Sequence, residues 1–305
     1  RLLIMITQLT QIVESARSRG RRRLAVVCAN DAHTLRAVEH ARREGLVEAT
    51  LFGDRAGITA TCQAEGIDPG NYAIVDEAND VTCVNQAVAL VAGNGADVLM
   101  KGLVSTDKYM RGILNKEAGL FPPKGTLSHV SVVELPGRGK LLSVADVAVI
   151  PLPDLKQKTI LIGYLANIAR SLGIEKPKIA CIAPSEQVLP SVISSTEACI
   201  LAKMGDRGQL GKVTVDGPLS LDVALYSEVA AEKKVQGSAV AGDADCLLFP
   251  NIESGNVFFK SATHFGGAEI AAIVVGTNRP CVLTSRGDTP QTKLYSIALA
   301  CLQCK

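Results

Sequence analysis

Short β-branched and aliphatic runs alternate with longer helix-period segments almost from one end of this chain to the other, and that alternation restricts the fold more than any other feature. The runs fall at 24–29, 49–53, 72–75, 97–101, 130–135, 141–145, 178–183, 212–215, 246–250, 271–275 and 281–284. Strands separated by helical segments predict an α/β protein with largely parallel sheets, because a parallel pair needs a crossover and a helix is the usual crossover. Punctuation agrees locally. Asn30 or Asp31 can cap a helix running to Glu44, with Gly45 after it, and Asp80 opens another that Gly93 closes.

The regular order breaks once. Phe121-Pro122-Pro123-Lys124-Gly125 is a cluster of chain breakers, and the two β-like runs after it are joined through Pro136-Gly137-Arg138-Gly139. A hairpin there marks the passage from one lobe to a second. Two lobes also suit 305 residues that are 47% hydrophobic, a length beyond a typical single core.

Charge and cysteine content narrow the function class. Thirty-two Lys plus Arg against thirty Asp plus Glu leave a net charge of +2, which argues against a nucleic-acid footprint. Nine scattered cysteines, mostly in apolar runs, read as reduced thiols of a cytosolic protein; Cys301-x-x-Cys304 has no second pair to complete a zinc site. His129 and His264 lack acidic or cysteine neighbours at ligand spacing, so no metal is expected. The opening residues read as a leader into an amphipathic helix rather than a signal peptide, and no window is apolar enough to span a membrane.

Three strand-end loops carry candidate chemistry. Lys101-Gly102 ends a strand, hydroxyl residues including Thr106 open the helix that follows, and Arg111 lies on that helix. Such a turn is either an anion cradle or a plain α/β connection with a hydroxyl cap. Thr284-Ser285-Arg286-Gly287-Asp288 offers a hydroxyl and a guanidinium ahead of another helix; the alternative is Ser285 or Asp288 as cap with Arg286 solvated. Pro250-Asn251-Ile252-Glu253-Ser254-Gly255-Asn256 enters a helix carrying Lys260, and its amides suit a polar ligand or a turn equally.

These loops match a known family in order and spacing. Met100-Lys101-Gly102-Leu103-Val104, Leu114-Asn115-Lys116-Glu117-Ala118-Gly119-Leu120, Leu127-Ser128-His129-Val130, Ala202-Lys203-Met204-Gly205-Asp206-Arg207-Gly208-Gln209, Val215-Asp216-Gly217-Pro218-Leu219, Pro250 to Asn256, Leu283 to Arg286 and Thr292 to Ala300 together resemble the phosphate acetyl/butyryltransferases, the butyryl type most closely. The resemblance implies reversible acyl transfer from acyl-CoA to inorganic phosphate, with CoA as substrate and no metal or redox cofactor. It implies the two-lobed fold of isocitrate and isopropylmalate dehydrogenases: a first lobe of 1–126 plus 281–305, a second of 127–280, a cleft site between them, a cytoplasmic location and a homodimer. On the matching positions it implies catalytic Ser285, Arg286 and Asp288, and substrate binding by Lys101, Thr106, Arg111, Ser128, Asn251, Asn256 and Lys260.

One position departs. Acetyl-type members carry an aspartate six residues beyond the arginine, as base for the CoA thiol, and here that position is Thr292. A thiol of pKa ~8.5 needs little help to leave as thiolate, so the absence is tolerable. Three other readings remain at this point: a phosphate acetyltransferase, an NAD-dependent decarboxylating dehydrogenase on the same fold, whose aspartate cluster and nicotinamide loop are not found, and a non-catalytic CoA-binding relative.

Overall fold

The computed structural model describes residues 5–117, 119–285 and 288–304. It contains α1 (Leu9–Ser18), β1 (Arg22–Val27), α2 (Ala32–Arg43), β2 (Val47–Gly53), α3 (Arg55–Ala64), β3 (Ala73–Asp76), α4 (Asp80–Ala92), β4 (Val98–Lys101) and α5 (Thr106–Ile113). There follow β5 (Ser128–Glu134), β6 (Leu142–Ala145), α6 (Leu155–Ser171), β7 (Lys178–Ile182), α7 (Ile193–Asp206), β8 (Thr214–Leu219), α8 (Leu221–Leu225), α9 (Ser227–Glu232), β9 (Cys246–Leu248) and α10 (Ile252–His264). The chain closes with β10 (Glu269–Val275), β11 (Cys281–Val282) and α11 (Pro290–Gln303). Every expected run forms a strand, with ends shifted by a few residues.

The chain divides into two compact units. One holds the described residues of Leu9–Leu127 and Ile270–Lys305, the other those of Arg1–Gln8 and Ser128–Glu269. The return to the first unit thus begins at Ile270, ahead of 281. The reason is local bonding: β10 pairs antiparallel with β11 through Val274 and Cys281, and Ala272 N donates to Ser296 Oγ of α11 at 2.9 Å.

In the first unit the strand order is β3-β2-β1-β4-β11-β10. The pairs β3–β2, β2–β1, β1–β4 and β4–β11 are parallel. Parallel strands buried on both faces read as continuous apolar runs, and β4, Val98-Leu99-Met100-Lys101, is buried throughout. Asp31 accepts from Thr34 N and Ser105 from Lys108 N as the sequence signals, while α4 is capped one residue ahead of Asp80 by Asn79, which accepts from Val81 and Thr82 N. Tyr109, fully buried on α5, brings its hydroxyl to Val282 O at 3.0 Å and Leu99 O at 3.3 Å, tying the helix to β11 and β4.

The second unit orders its strands β5-β6-β9-β7-β8. β5 and β6 form the expected antiparallel hairpin, while β6–β9, β9–β7 and β7–β8 are parallel. Helix α6 opens with a capping box in which Asp154 and Gln157 each bond the other's backbone N–H. Among the described residues, no helix is long and apolar enough to cross a membrane.

The crossing beside β1 is the tightest feature near the first unit's strand ends. Gly102 N donates to Val27 O and Leu103 N to Cys28 O, both at 2.8 Å. A Cβ on residue 102 would stand 2.5 Å from Val27 O and 2.6 Å from Cys28 O. Gly102→Ala is therefore expected to cost about 1–3 kcal/mol, the usual range for overpacking, because neither carbonyl can yield without breaking a bond it accepts. Urea unfolding of the variant against wild type measures it, and a loss near zero would contradict the close approach.

Candidate active site

Three neighbouring parallel strands, β1, β4 and β11, end side by side in the first unit, and ligands of open α/β sheets gather at such carboxyl ends. A cavity of about 150 Å³ lies there. Asp31, His33 and Thr34 reach it from the start of α2, Lys101, Gly102 and Leu103 from the end of β4, Thr284 and Ser285 from the turn after β11, and Lys293 from α11. Two of its cations are almost wholly buried, Lys101 with 4% of its surface exposed and Lys293 with 3%.

Lys101 Nζ donates to Gly102 O at 3.3 Å. Lys293 Nζ donates to Thr284 Oγ1 at 3.1 Å and to Ser285 O at 3.0 Å. Burial pulls the Lys293 ammonium below the ordinary lysine range, and the negative charges of Asp288 and Asp31 oppose that shift. Among the described residues, no carboxylate lies within ion-pair distance of Lys293. The cavity combines hydroxyls with buried positive charge, which suits a small oxyanion.

The expected residues scatter in instructive ways. Lys101 and Ser285 meet in the cavity, although their positions are far apart in the chain. Asp288 Oδ2 accepts from Ser285 N at 2.6 Å, so its carboxylate pins the turn that carries Ser285. The cap of α11 is neither Ser285 nor Asp288. Thr289 takes that place, accepting from Thr292 N with Pro290 pre-set at the first helical position. Thr106 and Arg111 are exposed on α5 and do not line the cavity; Arg111 Nε pairs with Asp107 Oδ1 at 3.1 Å. Arg286 lies outside the described residues.

Lys293 was not singled out as a site residue. Its signal was present, since α11 is apolar on every side and a lysine in register with Ile297, Ala300 and Cys301 has no route to solvent. Cys281, on β11, is not a ready nucleophile, because burial pushes its thiol up to about 12.

The second unit holds the other four expected residues, Ser128 on β5 and Asn251, Asn256 and Lys260 at the start of α10 or along it. Asp146, 1% exposed, accepts from Ser128 Oγ at 2.7 Å and from the backbone N–H groups of His129, Ala148, Val149 and Ile150. Ser128 is fully buried in that bond. Asn251 caps α10 by accepting from Ser254 N, and Asn256 Nδ2 donates to Val147 O at 3.1 Å. Gly255 packs against Asp146 O with no room for a side chain. Lys260 is exposed, its ammonium 5.4 Å from the Phe259 ring centre. Among the described residues, no group of three or more His, Cys, Asp or Glu side chains is placed to hold a metal ion.

Residues 79–301 match the family model described as Phosphate acetyl/butaryl transferase. The chain is 42% identical to a phosphate butyryltransferase of Clostridium acetobutylicum over 298 residues, 98% of each chain. This chain belongs to the phosphate acetyl/butyryltransferase family. It is also 38% identical to a phosphate acetyltransferase of Thermotoga maritima, covering 96% of this chain and 98% of that one. A crystal structure of a branched-chain phosphotransacylase from Enterococcus faecalis superposes with a TM-score of 0.82 at 30% identity, covering 93% of this chain and all of the other. Within the family match fall Lys101, Ser285 and Lys293, the residues that share the cavity.

The bond from Ser128 to Asp146 gives Ser128 a part in the stability of the second unit. Asp146→Ala removes the acceptor of five donors, those of Ser128, His129 and Ile150 buried, and should cost about 3 kcal/mol or more, whereas Ser128→Ala removes one donor and should cost about 1 kcal/mol. Urea unfolding of both variants reads this, and a Ser128→Ala loss equal to that of Asp146→Ala would refute the shared cluster.

Proposed function

We propose that this chain transfers a short acyl group, butyryl in preference to acetyl, between coenzyme A and inorganic phosphate. The observation that carries the reading is the match to a phosphate butyryltransferase along 98% of both chains. Thr292, in place of the aspartate of acetyl-type members, agrees with the butyryl type. The proposal extends to the fold shared with isocitrate and isopropylmalate dehydrogenases, to a cytoplasmic location and to a homodimer, all implied by the same resemblance. No metal or redox cofactor enters the reaction as proposed.

A phosphate oxygen attacks the thioester carbonyl carbon, the carbonyl oxygen takes up negative charge, and the C–S bond then breaks to release the CoA thiolate, which is protonated. Two anionic substrates and a new oxyanion must be accommodated together, so cations and N–H donors dominate the chemistry. Lys101 and Ser285 at the strand ends, with Arg286 next in sequence, supply them. A guanidinium fits a phosphate with two parallel N–H bonds, which lysine does not reproduce. Asp288 holds Ser285 N and so orients the turn, and a thiolate of ordinary pKa ~8.5 leaves without a dedicated strong acid.

Thiol release measured with phosphate across acetyl-, propionyl-, butyryl- and isobutyryl-CoA should give the highest kcat/KM with butyryl-CoA. A tenfold or larger advantage for acetyl-CoA, on the order of 1.4 kcal/mol, would assign the acetyl type instead. Arg286→Ala should lower kcat/KM for phosphate about 10²- to 10³-fold, with Arg286→Lys between it and wild type. Retention of more than about a third of wild-type kcat/KM by a folded Arg286→Ala, under ~1 kcal/mol, would remove Arg286 from the site.

A further inference from the structure

Lys293 combines three properties that a purely structural lysine does not need. It is 3% exposed, it lines the cavity at the ends of β1, β4 and β11, and the oxygens its ammonium bonds, Thr284 Oγ1 and Ser285 O, are both neutral. Taking an ammonium out of water is costly unless a negative charge answers it. Lys158, a buried lysine of the second unit, has such an answer in Glu197. Among the described residues Lys293 has no ion-pair partner, and the negative charges of Asp288 and Asp31 act on it without a direct bond. A neutral donor would hold the Thr284–Ser285 turn as well and at less cost. The remaining ammonium N–H and the positive charge are thus matched to an anion in the cavity, where Lys101 is the second cation.

We infer that Lys293 and Lys101 form the subsite for inorganic phosphate, with Lys293 donating to one phosphate oxygen while its bonds to Thr284 and Ser285 hold the amine in place. The volume, about 150 Å³, takes one tetrahedral oxyanion and is small for the pyrophosphate and adenosine of CoA. Because Lys293 also bonds Ser285 O, the residue that precedes Arg286, it couples the phosphate to the turn on which acyl transfer was placed above. The inference rests on that functional reading, and its test is arranged so that the two fail differently.

The variants are Lys293→Gln, which keeps N–H donors for Thr284 and Ser285 but loses the charge, Lys293→Met, which loses both, and Lys293→Arg, which keeps the charge. KM for phosphate should rise about tenfold or more in Lys293→Gln and Lys293→Met, the scale of one charged hydrogen bond, with KM for butyryl-CoA within about twofold of wild type. Lys293→Arg should recover part of the loss. Independently of turnover, added inorganic phosphate should raise the Tm of wild type and raise that of Lys293→Gln much less. Unchanged phosphate KM and an equal Tm gain in a folded Lys293→Gln would overturn the inference. So would a rise in KM confined to butyryl-CoA, which would assign the lysine to a CoA phosphate. If Lys293→Met does not fold, Lys293→Gln alone decides. A wild type that gains Tm from phosphate yet releases no thiol would sink the acyltransferase reading and leave the anion site standing.

Discussion

Gly102 leaves β4 so close to the end of β1 that its amide bonds Val27 O and its α-carbon has no space for a side chain. That contact sets where Lys101 stands, because the strand cannot be extended or displaced there without losing the two bonds to Val27 and Cys28. The parallel pairing of β4 with β11 then brings Thr284 and Ser285 to the same level, since parallel strands in register end together. Tyr109 locks the arrangement from behind by reaching both Leu99 O and Val282 O. The cavity is a consequence of backbone hydrogen bonding before any side chain enters it.

Into this frame the chain places the ammonium of Lys293, which has no ion-pair partner among the described residues. The exposed pairs elsewhere, such as Arg111 with Asp107 or Lys203 with Asp206, are adjacent on their helices and solvated, and contribute little to stability. Lys293 is the reverse case: buried, bonded to neutral oxygens and depressed in pKa by desolvation. A protein tolerates such a group where a ligand supplies the missing charge, and acyl transfer to phosphate brings an anion to the site in every turnover.

The second unit solves a different problem with similar parts. At the ends of β6 and β9 the buried carboxylate of Asp146 gathers one hydroxyl and four backbone N–H groups, so a loop that would otherwise strand its donors is fully satisfied. Asn256 and Gly255 fasten α10 against the same loop. Ser128 bonds Asp146 and Asn256 bonds Val147 O within this cluster, while Asn251 caps α10 through Ser254 N.

Local order was legible in the chain itself. The eleven strands, the cap at Asp31, the hairpin through Pro136 to Gly139 and the family motifs depend on residues a few positions apart, where period, turn chemistry and propensity act directly. Membership of the phosphate acetyl/butyryltransferases was equally visible, because the motifs are contiguous. Which side chains share a site was not. Lys101 and Lys293 lie far apart in sequence and meet only because β4 pairs with β11 and α11 returns over it. Arg111 is exposed on α5 and outside this cavity, since a residue's place in a helix does not say which way the helix faces the strand ends. Thr289 displaced Ser285 and Asp288 as the α11 cap once Asp288 was drawn to Ser285 N. Sequence alone determined the elements and the family; tertiary pairing decided which charges are buried together, because burial and hydrogen bonding across a sheet are properties of the assembled strands and of no single segment.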